Sequence, residues 1–260
     1  MIGRARLGTT SCIWHDHMLP NVERLAGRVD DVELLVFDVE SDLPPPADVA
    51  RLAALAREHG LSYTLHTPLD ASLASADETR RARGIDKVRR AIAWGAPLAP
   101  LACTVHVYLG DREHDPAPPA DLDAWRDRAR ASLETLLRDL PPRALSVECI
   151  DYDFALIAPV VRALDLSVSL DVGHLLRDGR SHRAAVDEWL PRARILQLHG
   201  TRPGPDGGRD HKSLAYAPRA EIEWLLRTLQ DRQFDGVLTL EVFDPEDLES
   251  SLAVVRSLSS

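Results

Sequence analysis

Lysine is nearly missing from this 260-residue chain: Lys87 and Lys212 are the only two, so the positive charge is almost all arginine. With 31 Lys plus Arg against 41 Asp plus Glu, the net charge is −10. An acidic surface repels phosphate backbones, and no loop is rich in Lys or Arg, which counts against a nucleic-acid partner. Cysteine is also scarce. Cys12, Cys103 and Cys149 share no short spacing and sit in apolar runs, which excludes a disulfide scaffold and predicts buried, unreactive thiols. No long hydrophobic run is present. The longest stretch without Asp, Glu, Lys or Arg, Ala91 to Gly110, contains Pro97, Pro100 and His106, which predicts a helix end, a turn and a strand rather than a membrane span. The N-terminus has no apolar segment with a small-residue cleavage site, so a cytoplasmic protein is expected.

What is there is a regular alternation. Strand-like runs cover Arg6 to Cys12, Val32 to Phe37, Leu61 to Thr67, Ala102 to Tyr108, Leu145 to Ile150, Leu166 to Val172, Ile195 to His199 and Val237 to Val242. Several are nearly continuous apolar runs, as in parallel strands buried on both faces. Helical periodicity fills the gaps: Ala47 to His59 ends at Gly60, and Asp121 to Leu140 stops at Pro141-Pro142. After Pro218, Ile222, Leu225, Leu226 and Leu229 recur at helical spacing. Eight strand–helix units in this length predict one α/β domain over residues 1–260, a single (β/α)8 TIM barrel. Gly204 to Gly208 and Asp111 to Ala120 are long loops after strands, and on a barrel both belong to the catalytic face.

Strand C-termini of such a barrel converge on one site. Read in order, they carry His66, His106, Glu148, then Asp171-Val-Gly-His174, His199 and Glu241, with Asp210-His211 following the seventh strand. Five of the ten histidines thus fall at strand ends, together with four carboxylates. A buried glutamate without compensation costs several kcal/mol, and no lysine lies in these strands. A divalent metal supplies the missing positive charge, and mixed imidazole and carboxylate ligands suit zinc first, with manganese or iron as alternatives. His15 and His17 follow the first strand and could line the site, whereas His59, His114 and His182 read as solvated.

This order of ligand residues resembles the xylose-isomerase-like barrels, and within them the endonuclease-IV-type enzymes, which carry a trinuclear zinc centre for phosphodiester hydrolysis. Several segments are similar to the cobamide-remodelling phosphodiesterases: Gly8-Thr-Thr-Ser11, Leu19-Pro-Asn21, Val29-Asp-Asp-Val-Glu-Leu34, Tyr63-Thr-Leu-His-Thr-Pro-Leu-Asp70, Leu170-Asp-Val-Gly-His-Leu175, Leu198-His-Gly200 and Asp210-His-Lys-Ser-Leu214. That likeness implies a small-molecule substrate, a cobamide. Its nucleotide-loop phosphodiester would be cut to cobinamide phosphate and the nucleoside carrying the lower ligand.

The resemblance further implies one metal on His66, His106 and a bridging Glu148, a second on Glu148, Asp171, His199 and Glu241, and a third on His174, Asp210 and His211. Where the endonucleases have Asp-x-His, this chain has Asp210 and His211 adjacent. Neighbours in an extended segment point to opposite sides, so two ions with His211 on the phosphate, and three ions, are both open. Glu148, Glu241, His211 and Lys212 are the implied catalytic residues, with Arg202 as an alternative to Lys212 and Arg112 a weaker candidate for the phosphate. Two other readings of the same residues stand beside this one. A one-metal sugar isomerase or epimerase needs Glu148, Asp171, His199 and Glu241 but not His66, His106 or Asp210-His211. An abasic-site DNA endonuclease shares the ligand set but wants basic loops.

Overall fold

The computed structural model describes residues 3–111, 119–138, 140–149, 152–204 and 208–258. The chain runs β1 (Arg6–Thr10), α1 (Met18–Leu25), β2 (Asp31–Leu35), α2 (Pro46–His59), β3 (Ser62–His66), α3 (Glu78–Gly95), β4 (Cys103–Val105) and α4 (Leu122–Leu136). It continues through β5 (Leu145–Glu148), α5 (Ala158–Ala163), β6 (Ser167–Asp171), α6 (Val172–Arg177), α7 (His182–Trp189), β7 (Ala193–Leu198), a hairpin of β8 (Gly200–Arg202) and β9 (Arg209–Lys212), α8 (Arg219–Asp231), β10 (Val237–Leu240) and α9 (Pro245–Leu258).

Eight parallel strands close in the order β1-β10-β7-β6-β5-β4-β3-β2, so the expected TIM barrel is what forms. Gly60 ends α2 at φ 65°, a left-handed cap that glycine adopts without Cβ strain. The expected stripe of α8 is buried at Ile222, Leu225, Leu226 and Leu229. In α4, Asp121 caps the first turn by accepting from the Ala124 amide, and Trp125 is fully buried with its indole N–H on the Tyr108 carbonyl, 2.9 Å away. Among the described residues no helix is long and apolar enough to cross a membrane.

The barrel interior departs from the sequence reading. The apolar members of each strand, such as Val32, Leu34, Tyr63 and Leu65, belong to the core between strands and helices, where Tyr63 donates to the Leu52 carbonyl of α2. Their alternate neighbours face the barrel axis, and these are mostly polar. Asp31 accepts from Ser62 and Thr64, the Ser146 and Ser167 hydroxyls are hydrogen-bonded at 3.0 Å, and Ser169 donates to Gln197. Strands read as continuous apolar runs are therefore two-faced. The small polar residues fill the space beneath the strand ends with hydrogen bonds where most barrels stack branched aliphatics.

The seventh loop also differs from expectation: it is a two-stranded antiparallel hairpin whose turn contains Gly204 and Gly208. Residues 205–207 fall outside the described residues. So do 112–118, with Arg112 and His114, as well as Asp139 near the expected end of α4 and Ile150 at the expected end of β5.

Candidate metal centre

His66, Glu148 and Asp171 are the last residues of β3, β5 and β6, while His106, His199 and Glu241 each follow the last residue of β4, β7 and β10. All six are buried, as is His174. The Asp-Val-Gly-His segment is a local device. Asp171 closes β6 and caps α6, its Oδ1 accepting from the His174 amide at 2.7 Å, which turns the chain so that His174 re-enters the site. Gly173 between them is demanded by packing: a Cβ there would lie 2.4 Å from Cδ2 of His199.

The first cluster centres on one oxygen. Glu148 Oε2 lies 2.7 Å from His106 Nε2 and 3.2 Å from His66 Nε2. Both rings are fixed from behind, His66 Nδ1 at 3.0 Å from the Thr67 carbonyl and His106 Nδ1 at 2.7 Å from the Tyr108 hydroxyl, which aims both Nε2 atoms inward. Burial drives the Glu148 carboxyl up, but the His106 and His66 rings outweigh it and hold the group well below the usual carboxylate range. Burial likewise depresses His66, yet Glu148 prevails and lifts it to about 9.

Asp171, His199 and Glu241 form the second cluster, with His199 Nε2 3.6 Å from Asp171 Oδ1. Asp171 stays below the usual range because His174 and His199 overcome the effect of burial. Glu241 goes the other way: burial, then the nearby Asp171, Glu33 and Glu148 carboxylates, push it well above its ordinary value.

The third cluster is His174, His199 and His211. His211 sits at φ 51°, the left-handed region, and its backbone N–H donates to His199 Nδ1 at 3.1 Å. This twist brings His211 Nε2 to 3.3 Å from His174 Nε2, while Asp210 Oδ2 stands 3.8 Å from the same nitrogen. Two adjacent residues thus reach one histidine, which an extended segment would not allow. Asp210 is nonetheless engaged elsewhere, its Oδ2 taking Arg177 Nη1 at 2.6 Å. Burial and the neighbouring His199 push His211 down to about 4, so its ring is neutral at neutral pH.

These groups fit metal ions. Within each cluster the potential ligand atoms lie within 4.8 Å of one another, and Glu148, Asp171 and His174 form a fourth such group that joins the others. Asp171 Oδ2, His174 Nδ1, His199 Nε2 and Glu241 Oε2 are buried with no hydrogen-bond partner, which is costly unless a cation meets them. A mixed imidazole and carboxylate donor set suits zinc, manganese or iron.

Other expected residues fall apart from the clusters. The Lys212 ammonium is 2.9 Å from Asp247 of α9, and Arg202 is exposed. His15 and His17 are exposed, although His17 borders a cavity of about 550 Å³ between the ends of β1 and β2, lined also by Met18, Leu19, Phe37 and Leu43. His59 is exposed, but His182 is half-buried and held by Glu221 at 2.8 Å. Cys103 and Cys149 are buried and pushed by burial up to about 12, so they are unreactive.

One acid in the site escaped the sequence reading. Glu33 of β2 is fully buried inside the barrel, with both carboxylate oxygens lacking a partner. Its one signal is a charged residue within Asp31-Val-Glu-Leu-Leu35, in the middle of a strand rather than at its end.

Residues 26–258 match the family described as xylose isomerase-like TIM barrel. No curated protein matches the chain. Among solved structures, a D-tagatose 3-epimerase-like protein superposes with a TM-score of 0.79 at 17% identity, over 98% of this chain and 97% of that one. Endonuclease IV from Thermus thermophilus gives 0.73 at 19% identity over 98% of both chains. The 3-keto-D-glucoside 4-epimerase from E. coli gives 0.70 at 13% identity, over 98% and 99%. Such identities speak for the fold alone, whereas the family match covers most of the sequence: the chain belongs to the xylose isomerase-like TIM barrel family.

Proposed function

We propose that this protein is a metal-dependent phosphodiesterase that hydrolyses the nucleotide-loop phosphodiester of cobamides, releasing cobinamide phosphate and the lower-ligand nucleoside. The observation that carries the hydrolytic part is the convergence of His66 and His106 on one oxygen of Glu148. Glu148, Asp171, His199 and Glu241 suffice for a single ion that polarises a sugar carbonyl. With two further buried imidazoles beside it, Glu148 would be shared between residues that hold one cation with His66 and His106 and residues that hold another with Asp171. Divalent ions there would supply a nucleophilic hydroxide at neutral pH and offset charge on the phosphoryl oxygens.

The chain's own residues divide the remaining work. Glu148 would hold the two positions together, and Glu241, buried with Oε2 unpartnered, is the carboxylate placed to take the proton of the attacking water once cations lower its proton affinity. His211, neutral at working pH and on the side of the centre formed by the hairpin, is the group placed to hold a phosphoryl oxygen or complete a third position with His174. Lys212 does not enter this scheme, because Asp247 takes its ammonium.

The cobamide part rests on the sequence resemblance, and the surface is compatible with a bulky substrate. Phe37 and Phe243 are 47% and 38% exposed, and the Phe243 ring stands 5.3 Å from that of His211. A sugar epimerase is the second reading, favoured by the four residues above, which suffice for a single ion. Anaerobic incubation of zinc-loaded protein with adenosylcobalamin, followed by mass analysis, tests the proposal: cobinamide phosphate is expected. Turnover of abasic DNA or a ketose with intact cobamide would replace it.

A further inference from the structure

Glu33 belongs to none of the ligand clusters, yet among the described residues it is the one acid with both carboxylate oxygens buried and unpartnered. Asp31, on the same face of β2, is satisfied by Ser62 and Thr64; Glu33 is fully buried and neither of its oxygens has a partner. The register of β2 and β3 gives its height. Leu35 pairs with His66 and Glu33 with Thr64, so Glu33 lies one side-chain step beneath the His66 ring on the barrel axis. Its charge is felt by Glu241, and it interacts in turn with His66, Glu148, Asp31 and Asp171.

A buried carboxylate needs donors or a cation. Among the described residues the interior offers neutral donors near this level: Thr104 Oγ1, Thr239 Oγ1 and Gln197 Nε2 are likewise buried without partners, and Thr239 pairs directly with Gln197 in the β7–β10 register. Polar groups of this kind reach a carboxylate through ordered water, but they carry no net charge. Neither lysine helps, since Lys87 is ion-paired to Asp70 and Lys212 to Asp247. The strand-end layer above, with the clusters of His66, His106 and Glu148 and of Asp171, His199 and Glu241, is where cations fit.

We propose that Glu33 is a counter-charge beneath the metal centre: a positioning residue that binds no ion itself but raises the centre's affinity for divalent cations. Free of metal, the barrel holds this acid at a cost; loaded, it holds the acid against net positive charge. The inference rests on the presence of the metal centre and not on the choice of phosphodiester as substrate.

Zinc affinity measured by competition with a chromophoric chelator, together with unfolding midpoints of metal-free and zinc-loaded protein, tests it in wild type, Glu33→Gln and Glu33→Asp. Outer groups of this kind are worth about 10- to 100-fold in metal affinity. Glu33→Gln should therefore weaken the tightest site by that factor while leaving the metal-free midpoint unchanged or higher, and Glu33→Asp should keep affinity within a few-fold. Unchanged zinc affinity in Glu33→Gln overturns the proposal. So does a metal-free protein destabilised as much as the loaded one, which marks a packing role. Wild type that binds no zinc, manganese or iron overturns the metal centre itself, and is seen before any variant is compared.

Discussion

Replacing Glu148 by glutamine changes almost no volume but removes the charge on which two imidazoles converge. In the metal-free protein, the lift of His66 from its ordinary 6.5 to about 9 corresponds to about 3 kcal/mol of coupling to its surroundings, with Glu148 the principal partner. A histidine raised in the folded state contributes stability that is full below its unfolded value and lost as pH rises through the folded one. A depressed carboxyl contributes above its unfolded value of 4.5 and loses that on acidification. The two windows overlap between about 4.5 and 9, so the penalty of Glu148→Gln is largest near pH 5–6.5 and fades above 9. Relief of repulsion on Glu33 and Glu241 opposes the loss, which makes about 3 kcal/mol a ceiling. At 260 residues that is about 6–10 °C in melting temperature. Thermal unfolding of chelator-treated wild type and variant at about pH 6 and pH 9.5 measures it, with metal content and cobamide hydrolysis followed on the reloaded proteins. The variant should lose at least one bound ion and all turnover. Equal destabilisation at both pH values, or retained ions and full activity, would refute the bridging role.

Other perturbations separate the parts of the centre. Gly173→Ala places a methyl 2.4 Å from the His199 ring, so it should lower bound metal and activity by at least about 10-fold while circular dichroism stays native. Lys212→Met should leave metal content unchanged and cost no more than about 1 kcal/mol of unfolding free energy, because it removes a partly exposed pair with Asp247. Asp31 is pushed by burial up to about 6 despite donors from Ser62 and Thr64; its favourable protonation is present below 3.8 and lost as pH rises through 6. Asp31→Asn should therefore stabilise the metal-free protein by about 2 kcal/mol at about pH 7.5, the relief of about 3 less about one hydrogen bond, and destabilise it by about 1 kcal/mol at about pH 3.5, where only the lost hydrogen bond remains, as urea titrations at the two pH values will read.

The barrel was legible because strand and helix patterns alternate eight times, and the polar strand ends stood out because a charged residue closing an apolar run has few places to go. Placement within the clusters was not legible. Whether Asp210 and His211 could serve one histidine depended on the left-handed φ of His211, which no residue type in Arg209-Asp-His-Lys212 announces. Lys212 looked notable for its rarity, but its partner, Asp247, lies 35 residues away on α9. Glu33 was overlooked because β2 reads as one of the apolar strands. Its meaning depends on the register that sets it beneath His66, and register is a property of the closed sheet rather than of the segment.

The same registers bear on the choice between hydrolysis and epimerisation. The residues that would serve a single ion all come from the C-terminal half of the barrel: Glu148 on β5, Asp171 on β6, His199 after β7 and Glu241 after β10. His66 and His106 come from β3 and β4, across Glu148 from Asp171, and they extend the row of donors beyond the reach of one ion. In a carbonyl-polarising enzyme that side of the site would have to receive the sugar, and hydroxyl-binding side chains with water access would be useful there. Instead both imidazoles are 5–7% exposed, locked from behind, and aimed at a carboxylate oxygen. Two ordered imidazoles sharing one acid are poor sugar ligands and good metal ligands, and Glu33 beneath them is a further buried acid that a cation in the layer above would compensate. The counting of ions therefore decides the chemistry: two or more per chain on the wild type favours displacement at phosphorus, and one favours a sugar.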